Sequence, residues 1–359
     1  MKALFVPYYP KVPYQHELAA ALRKQGVEVA FGTGYKPFCV ILLSVIKGGL
    51  PDVLHIHWLT FFYASAVYPI AIIPELFNLI FEAITLFVLR LIGVEIVWTV
   101  HNRLTHDSKF KKIELFVCRL MARISGAIIV HSNEARDMVM NEYGVRDSGK
   151  VNVIFQGNYI AYYPNTITKK TAREKLGIAG DKKVFLYFGL IKPYKALSAL
   201  INAFRENDLS GHILLVAGKP LNKKIEREVV SLCDGRDNIK TFLKFIPDDE
   251  AQIYVNASDA VVMSYGNVLT SAALLFAMSF GKAVLAPDFR YFREMAMEEG
   301  CVYYEKTEPE AIKNAVKKAV SMDLDFMGAY NLVLAKKYSW DISAELTKGI
   351  YMNLTRGNE

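Results

Sequence analysis

Three predicted strands stop at a histidine: Val53–Ile56 is followed by His57, Val94–Val100 by His101, and Ala127–Val130 by His131. Imidazole gains or loses a proton nearest neutrality, so it is the side chain best suited to proton transfer. Three of the chain's seven histidines at equivalent strand ends suit that role, while simple capping of loops is the plainer use. A zinc site finds no support, because neither HxxxH nor HExxH occurs. A second chemistry lies in residues 258–294. Ala260–Met263 is short and apolar, as a buried strand is, and a turn with Gly266 and Asn267 follows. Thr270 or Ser271 stands where a helix N-cap belongs. Ala272–Phe280 reads as an apolar helix closed by Gly281, and Ala283–Ala286 as the next strand. The helix N-terminus of such a βαβ unit offers free N–H groups and the positive dipole end to an anion, phosphate first, although most such ends bind nothing.

The elements that position these groups alternate. Ala3–Val6, His16–Gln25 and Val27–Phe31 read as β-α-β, the start of a doubly wound sheet whose ligands gather at the carboxyl ends of its strands. The first loop, VPYYPKVPYQHEL, lacks GxGxxG, which counts against a nicotinamide or flavin dinucleotide. Strand Val151–Phe155 leads to Gln156-Gly157-Asn158-Tyr159, and residues 160–170, polar and Tyr-rich with Pro164, read as a linker. A second β-α-β series follows: strands Val184–Phe188, Ile213–Ala217 and Ile239–Leu243 with helices between them, then residues 258–294, helix Glu308–Val320 and a helical stretch Ser339–Leu354. Two tandem Rossmann-like halves predict a ligand cleft between domains.

A length of 359 residues fits about two domains. The formal charge of +7 suits anionic partners such as phosphates or acidic lipids, and equally suits ordinary solubility. Dispersed basic residues without a recognition motif argue against nucleic acid. Four cysteines without metal or paired spacing read as reduced core residues of a cytosolic protein, and the N-terminal MKALFVPYYP is too short an apolar run for a signal peptide. Residues 59–92 stand apart. Leu59–Pro74 carries no charge, and Leu76–Ile92 is apolar nearly all round, with Asn78, Glu82 and Arg90 spread about its axis. Two prolines and two glutamates spoil a spanning helix, which wants about 20 clean apolar residues. Deep burial and a place in the membrane interface both remain. Arg103, Lys109, Lys111, Lys112, Arg119 and Arg123 would suit acidic headgroups in the second case.

With these pieces in order, FGLIKPYKALSALINAF, LLVAGK, SDAVVMSY, LLFAMSFGKAVLAPD and a late YSW make the whole chain resemble the GT-B glycosyltransferases of the family 4 and family 1-like group. HIHW, WTVHN…HD and VLTSAALLFAM are most similar to a subgroup with mannosyl transferases among its members. The resemblance implies an α/β GT-B fold: an N-terminal Rossmann-like acceptor domain over 1–160 with a membrane-contact helix at about 76–92, a nucleotide-sugar domain over 161–337, and a C-terminal helix, 338–359, packing back on the first domain. It implies a donor site of Gly189, Lys192, Lys195, Gly218, Lys219, Phe245, Ile246, Asn267, Leu269, Thr270 and Ser271. There lysines and a helix N-terminus replace a metal in neutralising the leaving diphosphate. Asp323-Leu324-Asp325 matches a DxD metal motif by chance. No cofactor is expected beyond the nucleotide sugar itself.

The sequence also departs from the group, whose two glutamates eight positions apart fall here on Val268 and Phe276. This leaves both the sugar and a retaining course open; an inverting mechanism would need a base for the acceptor hydroxyl in the N-terminal domain. Asp107 leads, His106 is close behind, and His101 accompanies them; His16 and Glu17 are further candidates. His16, His57, Asn102, His131, Gln156 and Asn158 are expected to line the acceptor side. The implied activity is metal-independent transfer of a hexose, GDP-mannose ahead of UDP-sugars, to a glycan or lipid-linked acceptor. Its place would be the cytoplasmic, inner face of an anionic membrane, as a peripheral protein. A catalytically inactive GT-B binding subunit and a nucleotide-sugar epimerase of the same fold are the alternatives.

Overall fold

The computed structural model describes residues 1–34, 38–62, 72–104, 111–179, 181–206, 209–305 and 307–357. The chain divides into two units, Met1–Gly157 with Tyr338–Glu359, and Asn158–Lys337. Unit 1 runs β1 (Lys2–Val6), α1 (Pro13–Lys24), β2 (Glu28–Phe31), α2 (Val40–Gly48), β3 (Val53–Ile56), α3 (Ile72–Leu91), β4 (Glu95–Thr99), α4 (Lys111–Ile124), β5 (Ala127–Val130), α5 (Asn133–Glu142) and β6 (Val151–Val153). The strands form one parallel sheet, ordered β2-β1-β3-β4-β5-β6. Runs such as Ala3–Val6 and Val53–Ile56 are buried throughout, as strands covered on both faces must be.

Unit 2 continues with α6 (Lys169–Leu176), β7 (Val184–Phe188), α7 (Leu197–Arg205), β8 (Ile213–Ala217), α8 (Lys223–Cys233), β9 (Ile239–Phe242), α9 (Ala251–Ala257), β10 (Ala260–Val262), α10 (Ala272–Ser279), β11 (Ala283–Pro287), α11 (Arg290–Met295), β12 (Cys301–Tyr304), α12 (Pro309–Val320) and α13 (Leu324–Lys337). Its sheet is also parallel and six-stranded, ordered β12-β11-β10-β7-β8-β9. The expected α/β architecture of two Rossmann-like sheets is borne out. The last helix, α14 (Trp340–Arg356), belongs to unit 1. Tyr351 and Ala344 are fully buried in the cluster that holds Leu18 and Leu22 of α1. Lys348 Nζ donates to the Gln25 carbonyl at 2.7 Å, and Gln25 Nε2 to that of Asp341 at 2.8 Å.

The reading of α3 as polar on several sides needs correction. Asn78 and Glu82 are four apart, hence on one face, and both are buried. Asn78 Oδ1 accepts from Cys39 N at 3.2 Å and its Nδ2 donates to the Phe61 carbonyl at 2.8 Å. The Glu82 carboxylate accepts from Val40 N at 2.5 Å and from Ile41 N at 3.3 Å. It thus caps α2, whose own N-cap Cys39 offers no side-chain bond and sits at φ 55°. Arg90 pairs with Glu95. The outward face of α3 is left apolar, with Phe77, Ile80, Phe81, Ile84, Phe87, Val88 and Leu91 exposed.

Candidate active site

In unit 2 the loops after β7 and β8 are locked together. Gly189 N donates to the Ala217 carbonyl, Ile191 N to that of Lys219, and Leu221 N to that of Ile191, each at 3.0 Å. A Cβ on Gly218 would lie 1.9 Å from the Gly189 carbonyl oxygen, so only glycine allows this approach. The first loop continues into a 3₁₀ turn, Pro193–Lys195, ended by Ala196 in the left-handed region at φ 44°. Ser264 Oγ donates to the Lys195 carbonyl at 2.7 Å and pins the turn beside the end of β10.

Lys195 turns back under this loop. Its Nζ lies 5.9 Å from the Tyr187 ring centroid and 5.7 Å from that of Tyr265, within cation–π range. Burial pushes its ammonium down to about 8, which leaves it a cation at neutral pH. A small cavity lies beside it, bounded by Phe188, Met263 and the two tyrosines. Lys192 is half-buried, Lys219 and Asn267 are exposed, and Leu269 and Thr270 are half-buried. Phe245 stands exposed and Ile246 is buried.

Of the two N-cap candidates, Ser271 caps α10. Its Oγ accepts from Leu274 N at 3.2 Å and donates to Tyr265 Oη at the same distance, and Tyr291 Oη donates to its carbonyl at 3.4 Å. The hydroxyl is therefore spent on aiming the helix, and the first-turn amides face forward as at any helix start. Position 276 joins an aromatic block. Phe276 stacks on Phe188 at 4.8 Å and meets Tyr163 edge-on at 5.0 Å. Val268 is buried.

Unit 1 gathers its histidines. The alternation His55-Ile56-His57 puts both imidazoles on one face of β3, stacked with centroids 4.2 Å apart. His101 lies 5.8 Å from His57 and 5.3 Å from His131, Trp58 stacks on His101 at 4.5 Å, and Tyr14 touches His57, His101 and His131. His55 is held by Thr99 Oγ1 at 2.7 Å and by Tyr351 Oη. His131 Nδ1 donates to the Ile154 carbonyl at 2.7 Å, which leaves its Nε2 as an acceptor. Neither His57 nitrogen nor His131 Nε2 has a hydrogen-bond partner among the described residues. Burial pushes His55 down to about 3 and His131 to about 4, and His57 and His101 well below the usual range. All four are neutral bases at pH 7. A cavity of about 40 Å³ beside them is lined by His57, Trp58, His101, Asn102 and Arg103.

Of the remaining acceptor-side candidates, His16 packs at the start of α1, its Nε2 3.0 Å from the Pro10 carbonyl, and Gln156 is buried. Asn158 belongs to unit 2, where its Nδ2 donates to the Ala335 carbonyl and its Oδ1 accepts from Ile160 N, both at 3.0 Å. His106, Asp107 and Lys109 lie outside the described residues. Sequence reading missed His55, Tyr14 and Tyr351; the i, i+2 spacing of HIH was the signal for the first. Asp323 Oδ1 accepts from Phe326 N at 2.9 Å, a helix-start use for the DxD aspartate. Among the described residues no group of three His, Cys, Asp or Glu could hold a metal ion.

Residues 168–328 match the family described as glycosyl transferases group 1. The chain is 25% identical over 236 residues to the GDP-mannose:glycolipid 4-beta-D-mannosyltransferase of Xanthomonas campestris pv. campestris, a match covering 66% of this chain and 61% of that one. It is 23% identical to the alpha-maltose-1-phosphate synthase of Mycolicibacterium smegmatis, over 68% of this chain and 67% of the other. Among solved structures, Anabaena HepE in complex with UDP and glucose superposes with a TM-score of 0.73 at 17% identity, covering 98% and 99% of the two chains. Sucrose-phosphate synthase from Thermosynechococcus elongatus gives 0.76 at 15% identity, covering 99% of each. The fold is therefore GT-B, and unit 2 carries a glycosyl transferases group 1 domain.

Proposed function

We propose that this chain transfers a hexose from a nucleoside-diphosphate sugar, GDP-mannose ahead of UDP-sugars, to a glycan or lipid-linked acceptor at the cytoplasmic face of a membrane, in polysaccharide or glycolipid assembly. The observation that carries this reading is Lys195, a half-buried cation boxed by Tyr187 and Tyr265 beside the cap of α10, inside the span matched by the group 1 family. The donor's C1–O bond breaks with both electrons going to the diphosphate. Lys195 and the first-turn amides of α10 meet that charge where water is scarce, so their field is strong. Lys192, Lys219, Gly189 and Gly218 shape the same phosphate loop, and Asn267, Leu269 and Thr270 the approach to the helix. Cations fixed in this way serve the leaving group without a metal.

The acceptor oxygen forms the new bond to C1 and loses its proton to a base of unit 1. Asp107 is the first choice and His106 the second. His101, His57 and His131 are neutral imidazoles able to orient a hydroxyl by hydrogen bonding, while their low proton affinity leaves the base role to Asp107 or His106. A lipid-linked acceptor is supported by the outward apolar stripe of α3 and by the glycolipid in the curated relative's name. No helix among the described residues is long and apolar enough to cross a membrane, so contact would be peripheral.

A thermal-shift panel of GDP, UDP, ADP, TDP and CMP tests the donor side. A nucleotide at 100 times its Kd should stabilise by about 2.7 kcal/mol. No shift with any of them would overturn the reading. Phe276 and Val268, apolar where the resemblance leads one to expect glutamates, favour a binding subunit without turnover as the second reading. Nucleotide binding without transfer or donor hydrolysis would select it.

A further inference from the structure

Unit 2 carries a second charged site, at the opposite edge of its sheet from Lys195. A cavity of about 620 Å³ there is lined by Lys169, Lys170 and Arg173 of α6, by Lys182 and Lys183 ahead of β7, and by Asp259 ahead of β10. The topology fixes its place. β7 and β10 pair in parallel, so the residues that precede both lie at the amino edge, whereas Lys195 and Tyr265 follow the carboxyl ends. β7 spans five residues, which sets its two ends about 13 Å apart. The cavity therefore lies apart from the loop assigned to the donor diphosphate.

Its inner charges are held in place. Asp259 is buried; its Oδ2 accepts from Val184 N at 2.6 Å and from the Arg173 guanidinium at 2.8 Å, and its Oδ1 from Lys169 Nζ at 2.5 Å. Arg173 is buried too, and its Nε donates to the Ala257 carbonyl at 3.0 Å. One buried carboxylate thus answers two cations; Asp325, 3.7 Å from Lys169, is exposed and screened by water. Lys282 adds a further cation nearby, its Nζ on the Ser258 carbonyl at 2.9 Å. Burial, and after it the charge of Lys169, push that ammonium down to about 8. Lys170, Lys182 and Lys183 have no ion-pair partner among the described residues. The other lining acids, Glu174 and Asp181, are both exposed. Five cations line the cavity against three carboxylates, and such an excess attracts an anion.

The donors select the kind of anion. Ammonium and guanidinium groups set around one space suit the several oxygens of a phosphate. The volume falls in the range of small-molecule sites, about 300–1,000 Å³, and exceeds what an inorganic ion fills. Ile178 is the apolar lining residue, and it is buried, so the walls offer no surface for a hydrocarbon chain. We propose that this cavity binds a small water-soluble organic phosphate at a site separate from that of the donor.

The lysines themselves report on it. The full chain is acetylated with sulfosuccinimidyl acetate and each lysine is followed by mass spectrometry. Fructose 1,6-bisphosphate is the probe, compared with inorganic phosphate, citrate, and phosphatidylcholine vesicles containing phosphatidic acid. At ten times its Kd the bisphosphate should slow acetylation of Lys170, Lys182 and Lys183 about tenfold. Lys224, exposed on α8, should be unchanged. Lys182→Ala with Lys183→Ala should abolish most of the protection at Lys170, and Lys170→Ala alone should weaken it at Lys182 and Lys183, with native thermal midpoints. Lys195→Ala should leave the protection as it is. Equal rates with and without the bisphosphate would overturn the site. Citrate or inorganic phosphate protecting as strongly at the same concentration would overturn an organic phosphate as the ligand. Protection by the vesicles and not by the bisphosphate would assign the cavity to a lipid headgroup and overturn the soluble ligand. Protection lost in Lys195→Ala would place the bisphosphate in the donor loop and overturn the second site.

Discussion

Strands β3 to β5 of unit 1 bring His57, His101 and His131 to the carboxyl edge of their sheet, while β7 and β10 of unit 2 bring Lys195, Tyr187 and Tyr265 to theirs. The edges are topologically alike and burial acts on both, but with different results. An imidazole starts near 6.5, so a few units of desolvation leave it neutral; His55 falls to about 3 and His131 to about 4. A lysine starts near 10.5, and a similar push leaves Lys195 at about 8, still charged at neutral pH. One edge is thus a set of neutral imidazoles that can take part in hydrogen bonds and the other a fixed cation. A sugar hydroxyl suits the first and a diphosphate the second.

The largest effect that could break this comparison is acid. Folded unit 1 holds imidazoles whose affinity for protons is below that of the unfolded chain. As pH falls through 6.5 the unfolded chain takes up protons that the folded unit refuses, so stability drops. Each imidazole contributes up to about 1.4 kcal/mol per pH unit, levelling off near the folded values of about 4 and 3. All three tryptophans, Trp58, Trp98 and Trp340, belong to unit 1, so their emission reads that unit alone. Acid titration should move tryptophan emission at a higher pH than the bulk of the far-ultraviolet circular dichroism. Coincident transitions would mean the histidine edge carries no special acid lability.

Next comes Lys195→Ala. Losing one preorganised charge-stabilising group costs about 2.7–4 kcal/mol in the transition state, a fall of roughly two orders of magnitude or more in transfer rate, with the thermal midpoint nearly kept. In the native enzyme nucleotide affinity should weaken as pH rises through about 8, because the ammonium loses its proton there. Lys195→Ala should flatten that dependence. A variant with near-normal turnover and an unchanged pH profile would remove the cation from the mechanism.

Glu82→Ala is smaller and probes what supports the unit 1 edge. It strips Val40 N and Ile41 N of their acceptor, a loss worth about 1–3 kcal/mol, read as a lower urea midpoint by tryptophan emission. Glu82→Gln keeps one acceptor and should fall between. If alanine costs nothing, Glu82 does not hold α2.

Much of this was legible from short range. The apolar runs gave the strands, and the polar pair Thr270-Ser271 before an apolar octet gave the start of α10, because N-capping is local. What sequence reading missed depends on distant partners. No capping residue precedes α2, since its cap is Glu82, supplied by another helix. The polarity of α3 looked scattered because Asn78, Glu82 and Arg90 serve three different partners: Asn78 the Phe61 carbonyl and Cys39, Glu82 the start of α2, and Arg90 the next strand. His55 is explained by Tyr351, which arrives at the far end of the chain.

The smallest effect sharpens the comparison at two backbone positions. Cys39 opens α2 at φ 55° and Ala196 opens α7 at φ 44°, the positive-φ residues other than glycine among those described. A side chain there costs about 1–2 kcal/mol, and glycine would relieve it while adding freedom to the unfolded chain worth about 0.4–1 kcal/mol. The net gain is about 0.5 kcal/mol for either Cys39→Gly or Ala196→Gly, a rise of about 1–2 °C in a unit of this size. The consequences for binding should differ. The N–H of Cys39 is held by Asn78, which fixes the start of α2 whatever the side chain. Ala196 follows directly on Lys195, whose carbonyl is anchored by Ser264 but whose side chain depends on the turn. Ala196→Gly should therefore raise the donor KM a few-fold with kcat nearly kept, while Cys39→Gly leaves donor kinetics alone. If Ala196→Gly stabilises unit 2 and donor KM does not move, the tyrosine box holds Lys195 without help from the strained turn, and Ser264→Ala becomes the variant expected to loosen it.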